Sequence, residues 1–168
     1  QHLCFAIQDS KYTLSAVSKN GGRLGRIDTV SMDILSTMEI EKVIKRESPD
    51  VIINCAGLIS VRGCEEQPTL AHQLNGKFLE KLANVSIVAR TALICQLSTD
   101  AVFSGKECGA PFNETDTPKS CNMYGMSKLE GESVLADSGV PYQIVRTSAV
   151  IGDMPYPNGR YTFQRSLV

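Results

Sequence analysis

Apolar residues recur along this chain in two rhythms. The segments YTLSAVS (12–18), DTVSMDI (28–34), DVIINCA (50–56), TALICQLS (91–98) and PYQIVRTSAVIG (141–152) are short apolar or β-branched runs between turn formers, and they read as strands. DVIINCA is almost unbroken, which predicts a strand buried on both faces. Between these runs the spacing changes to that of helices. TMEIEKVIKRES (37–48) follows Ser36 or Thr37 as its cap. A second helix is predicted from Pro68 to about Ala83, with Leu70, Leu74, Phe78, Leu79 and Leu82 on one face. A third spans 123–137. Residues 2–9 read as the end of a helix, and a further one starts near Gly159. KNGGRLG (19–25) reads as flexible and KECGAPFNETDTPKS (106–120) as a surface excursion. ANVSIVART (83–91) is ambiguous, because its β-branched residues weaken a helix. Strand and helix in alternation predict an α/β fold with a parallel sheet and crossover helices.

Composition narrows the picture. The chain has 168 residues, 42% apolar and 21% charged, with 17 Lys+Arg against 18 Asp+Glu. That suits one globular domain, and no basic block points to nucleic acid. The longest apolar runs are far too short to cross a bilayer, and the first residues lack the marks of a signal peptide. Six cysteines without C-x-x-C or zinc spacing point to a reduced, cytoplasmic setting. His2 and His72 have no companions at ligand spacing, so no metal is assigned. The sequence fixes no oligomeric state, and a homodimer stands as an expectation.

The candidate chemistry lies in NMYGMSK. Tyr124 and Lys128 are four residues apart, so a helix puts the phenol and the ammonium on one face. A nearby cation favours the phenolate and lowers the tyrosine pKa, which makes a usable proton donor or acceptor. Some 25 residues earlier, Ser98-Thr99-Asp100 ends a strand and offers a hydroxyl to hold a carbonyl oxygen. On residue types alone, an exposed Tyr and Lys with a capping Thr is the plainer reading. The start of a nucleotide-binding α/β domain, a strand, a glycine-rich turn and a helix, does not appear. GGRLG (21–25) is no substitute, because it follows the second strand and a polar stretch. The expectation is therefore a doubly wound parallel sheet without its first strand and glycine loop, in a fragment of a longer protein.

Taken in order, DVIINCAG, STDAVFSG, NMYGMSKLEGE and VRTSAVIG give the chain a resemblance to the extended short-chain dehydrogenase/reductases. It most closely resembles the dTDP-4-dehydrorhamnose reductase branch, which also contains the regulatory β subunit of methionine adenosyltransferase. The resemblance implies a partial NAD(P)-binding Rossmann domain over 1–168, with the carboxyl-terminal substrate domain mostly absent. It implies Thr99, Tyr124 and Lys128 as catalytic residues of an oxidoreductase acting on a keto-sugar nucleotide. Cys55, Ala56, Gly57, Ser98 and Thr147 then fall along the cofactor, and Asn75 steadies the active-site backbone or a relay water. Asp33 and Ile34 fall at the adenine, although an Asp before a helix is otherwise a routine cap. Ser18, Lys19, Arg23 and Arg26, with no carboxylate before Asp28, favour NADP(H) over NAD(H). Val61, Thr99, Asp100 and Ala149 fall near the substrate. Ala101 and Ala149 stand where the branch carries aromatics, which puts rhamnose specificity in doubt. An epimerase or dehydratase, or a non-catalytic regulatory subunit that binds cofactor, remain the alternatives.

Overall fold

The computed structural model describes residues 11–24, 27–90, 93–105 and 111–148. The expected helix end at 2–9, the helix near Gly159, Arg26 and Ala149 lie outside the described residues. The chain divides into two units, one built from residues up to Asp33 and from Thr147 onward, the other from Ile34 to Arg146.

In the first unit β1 (Ala16–Ser18) pairs in parallel with β3 (Ile27–Ser31), and β2 (Gly22–Leu24) pairs antiparallel to β3. The stretch read as flexible is thus partly a strand. Gly21 (φ 66°) and Gly22 (φ 115°) take backbone conformations that other residues resist, and they turn the chain back so that Arg23 faces Asp28.

The second unit carries the sheet order β4 (Val51–Asn54), β5 (Leu93–Thr99), β6 (Tyr142–Thr147), with β4 and β5 parallel and in register from Val51–Leu93 to Asn54–Gln96. This is the Rossmann-like α/β arrangement that the alternation of elements predicts. The expectation of a doubly buried β4 is not met, since Val51 is 48% and Ile53 38% exposed. β4 is the outer strand of its three-stranded sheet, and its neighbour β5 covers it along one side.

Ser36 caps α1 (Thr37–Glu47) by accepting the Glu39 N–H, so the routine cap considered for Asp33 belongs to Ser36. One short helix went unanticipated. α2 (Val61–Glu66) starts where the Ser60 hydroxyl accepts the Gly63 N–H. Pro68 then opens α3 (Pro68–Ala71), which runs through a π-helical turn (His72–Lys77) into α4 (Phe78–Ala89). The ambiguous 83–89 is helical because packing outweighs propensity: Ala83, Val85 and Ser86 are buried. Ile40 and Ile44 of α1 pack on α4, joining Leu79, Leu82, Ile94 of β5 and Leu135 of α5 (Met123–Asp137) in the core. No helix among the described residues is long and apolar enough to cross a membrane.

Candidate active site

The strand β5 ends in Thr99, 6% exposed, whose hydroxyl accepts the Ala101 N–H and donates to the Asp100 carboxylate at 3.2 Å. A 3₁₀ turn (Asp100–Val102) follows. The first turn of α5 approaches this turn so closely that a Cβ on Gly125 would lie 2.1 Å from the Ala101 carbonyl oxygen. A glycine is therefore required beside Tyr124. The start of α5 is tied twice: Asn122 accepts the Gly125 N–H, and a Glu65 carboxylate oxygen from α2 accepts the Met123 N–H. These constraints bring the half-buried Tyr124 close enough to Thr99 for the threonine hydroxyl to lower the phenol's pKa.

Four residues on, Lys128 is 5% exposed and its amine donates to the Leu97 carbonyl at 2.9 Å. Burial pushes its proton affinity down, while Cys55, Glu132 and Cys64 act in the opposite direction. An ammonium has three N–H donors, and Leu97 is the acceptor it reaches among the described residues, so donors remain for a ligand.

The expectation for the phenol is corrected. Its pKa lies above the usual tyrosine value, raised first by desolvation, then by the charges of Cys64 and Asp100, and only partly offset by the Thr99 hydrogen bond. The Lys128 amine is bonded to the Leu97 carbonyl, and it is not among the groups that move the phenol's pKa. Tyr124 is therefore protonated at neutral pH.

Asn75 lies in the π-helical turn, 2% exposed. Its side-chain oxygen accepts the Leu58 N–H at 2.9 Å, and its amide donates to the Leu58 carbonyl at 3.0 Å and to the Ser127 hydroxyl at 2.9 Å. Leu58 follows Gly57, which holds φ 153° and whose added Cβ would meet the Asn75 oxygen at 2.4 Å. Asn75 thus clamps the loop after β4 to α5. Irregular π turns within helices often sit at such functional positions. Cys55 is exposed, Ala56 donates its N–H to the Asn54 side chain, and Asn54 in turn donates to Gln96 at 2.7 Å. Ala56 and Gly57 are half-buried beside this buried amide pair.

The Ser98 side chain turns into the interior. Its hydroxyl donates to the buried Glu132 carboxylate, which also receives Arg146. Thr147 is the last residue of β6, and Val61 is the first of α2 and 47% exposed. Ile34 is half-buried. Beside Asp100 and Ala101 lies a cavity of about 600 Å³, also lined by Phe103, Phe112, Asn122 and Arg146. Thr99, Tyr124 and Lys128 are not among its lining residues.

In the first unit the Ser18 hydroxyl is closed into its own turn, donating to the Gly21 carbonyl and meeting Thr29. Lys19 and Asp33 are exposed. Arg23 has a carboxylate partner in Asp28 at 3.8 Å, with both side chains largely exposed, so solvent screens the pair and it binds weakly.

Sequence reasoning missed Asn54, Gln96, Ser127 and Glu132. The readable signal was a polar residue set inside an apolar run, as in VIINCA and ALICQLS. His72 pairs with Glu130 at 2.5 Å, and no cluster fit for a metal occurs among the described residues.

Residues 1–165 match the family model described as the RmlD substrate binding domain. A dTDP-4-dehydrorhamnose reductase of Salmonella typhimurium is 35% identical over 118 residues, 70% of this chain and 39% of its own length. The methionine adenosyltransferase 2 subunit beta of Pongo abelii is 29% identical over 134 residues, 80% of this chain and 39% of its own length. The dTDP-4-dehydrorhamnose reductase of Bacillus anthracis, solved in complex with NADP, aligns over 78% of this chain and 48% of its own, with TM-score 0.70 and 28% identity. This chain spans half or less of the length of these relatives.

Proposed function

The chain belongs to the RmlD substrate-binding domain family, and on that premise we propose that it serves an NADP(H)-dependent reductase of a keto-sugar nucleotide. The observation that carries the reading is the meeting of Thr99 and Tyr124 at the end of β5, with the buried amine of Lys128 one turn behind. A dinucleotide fits what these residues offer. Lys128 has donors to spare, and small residues at Cys55–Gly57 let a ligand pass close to backbone. The choice of NADP(H) rests on the sequence, where Ser18, Lys19 and Arg23 stand with no carboxylate between Ser18 and Asp28, and the NADP complex of the Bacillus anthracis relative supports it.

When bound, the nicotinamide supplies the hydride. Tyr124 donates its proton to the oxygen of the carbonyl under reduction and is reprotonated from solvent. Thr99 offers a second hydrogen bond to that oxygen, where negative charge develops. A well-placed general acid contributes roughly 10²–10⁴ in rate. Lys128 holds the Leu97 carbonyl and, through it, the end of β5. The proposed setting is cytoplasmic.

The test is NADPH oxidation across a panel of keto-sugar nucleotides. Tyr124→Phe should abolish turnover and leave NADPH affinity within a few-fold; a Phe variant that turns over refutes the assignment. The beta-subunit relative supports a second reading, a regulatory module that binds cofactor and acts on a partner enzyme. Capture of such an enzyme, with no NADPH oxidation on any substrate of the panel, would decide for it.

A further inference from the structure

Glu132 sits one helical turn beyond Lys128 on α5 and is 4% exposed. Its carboxylate holds Arg146 of β6 through Nη2 at 2.6 Å and through Nε at 3.2 Å to each oxygen. It also accepts the Ser98 hydroxyl. Ser98 stands between Leu97, whose carbonyl takes the Lys128 amine, and Thr99. On its far side, Arg146 lies over the Phe103 ring at 5.2 Å, and Phe103 stacks on Phe112 at 4.4 Å. One carboxylate therefore joins β5, α5 and β6 directly behind the candidate site. Stability is a poor reason for such an arrangement. Desolvating an ion pair costs about what its attraction returns, and apolar residues of equal volume often serve the fold as well.

We propose that Glu132 is a positioning residue, which registers the end of β5, and so Thr99 and the Leu97 carbonyl, against the amine of Lys128. Its consequence for turnover rests on the reductase reading, while its geometry does not. The groups facing Lys128 are the thiols of Cys55 and Cys64, the Glu132 carboxylate and the Leu97 carbonyl. Cys55 first, then Glu132 and Cys64, favour the protonated amine against the burial that disfavours it.

The experiment compares Glu132→Gln, Glu132→Asp and the double variant Glu132→Gln/Arg146→Met, the last removing the arginine that the first leaves unpaired. Three quantities are read: the melting temperature, the NMR titration of the Lys128 side chain, and kcat and KM for NADPH-dependent reduction. In Glu132→Gln the Lys128 midpoint should move to lower pH, and kcat should fall about ten- to a hundredfold from misplacement, with KM changing less. Glu132→Asp should recover part of both. The double variant should regain melting temperature but neither the titration nor kcat. A Lys128 titration in Glu132→Gln that superimposes on wild type, or a double variant with full turnover, overturns the proposal. If the wild type reduces nothing, the reductase reading falls, and the positioning role stands only if Glu132→Asp, which keeps the charge, still moves the midpoint.

Discussion

Asn75 is the residue whose removal tests the architecture of the site most directly. Asn75→Ala deletes three hydrogen bonds at once, two to the Leu58 backbone and one to Ser127. A buried neutral hydrogen bond contributes about 1 kcal/mol net, so their loss costs about 3 kcal/mol. The cost is not larger because Leu58 is only half-buried and water can reach its freed groups, whereas Ser127 keeps its bond to the Tyr124 carbonyl at 2.9 Å. For a domain of this size that corresponds to a drop in melting temperature of roughly 6–12 °C. The assay is thermal unfolding, combined with amide hydrogen exchange at Leu58. Exchange there should accelerate, because the N–H loses its acceptor, while amides inside β5 keep their protection. Asn75→Asp separates the two halves of the clamp, since it retains the acceptor for Leu58 N–H and loses both donors. Its exchange at Leu58 should stay near wild type while its melting temperature falls by an intermediate amount. An Asn75→Ala protein that melts within 2 °C of wild type, with Leu58 still protected, refutes the clamp (roughly the smallest shift that about 1 kcal/mol would give).

Lys128→Met should leave melting temperature unchanged or raise it while abolishing turnover, because a desolvated cation is exchanged for an apolar chain of similar length. The same burial sets a pH dependence. The Lys128 pKa is depressed in the fold, so its contribution is most favourable above the ordinary lysine value and is lost as pH falls through the folded pKa; unfolding curves of wild type and Lys128→Met should diverge in that direction. Ser86→Ala should stabilise by about 1 kcal/mol in chemical denaturation, since the Ser86 hydroxyl, 0% exposed, has no partner among the described residues and alanine is the better helix former. Gly125→Ala should destroy turnover even where the protein folds, because backbone at Ala101 must shift away and carry the Thr99 turn with it; an alanine variant with wild-type kcat would exclude that contact.

The parts of the fold that sequence exposes are those set by local rules. α5 runs over 123–137 as predicted, because Asn122 is a capping residue and the helix follows without a breaker. Ser36 and Pro68 mark the other helix starts for equally local reasons. What sequence hides is set by tertiary contact. The strand β2 needs a partner in β3 before GGRLG reads as anything but a loop. Val85 and Val88 lower helix propensity, yet the helix continues to Ala89 because its buried face lies on the core. For the site, spacing alone puts Tyr124 and Lys128 on one face, and Thr99 follows from the end of a predicted strand. The phenol pKa could not be read the same way. It depends on where the Lys128 amine points and on what surrounds the ring, and both are decided by residues far apart in the chain.

That difference bears on the direction of the proposed reaction. A phenol whose pKa stands above the ordinary value is protonated across the neutral range, the state from which it can give a proton, and reduction of a carbonyl needs that state. The neighbours that raise it, Cys64 and Asp100, do so by making a phenolate beside them costly. Substitution of the exposed Asp100 by Asn removes one of these charges while leaving the Thr99 strand end in place, and it should move the Tyr124 ionisation to lower pH. The ultraviolet difference spectrum of tyrosinate, with Tyr124→Phe subtracted as the blank, measures that midpoint directly. With the phenolate less costly, the alkaline limb of the reductive pH–rate profile should move to lower pH together with that midpoint. An Asp100→Asn protein in which the midpoint stays fixed would show that the Asp100 charge does not help to hold the proton on Tyr124, and that part of the electrostatic argument would be lost.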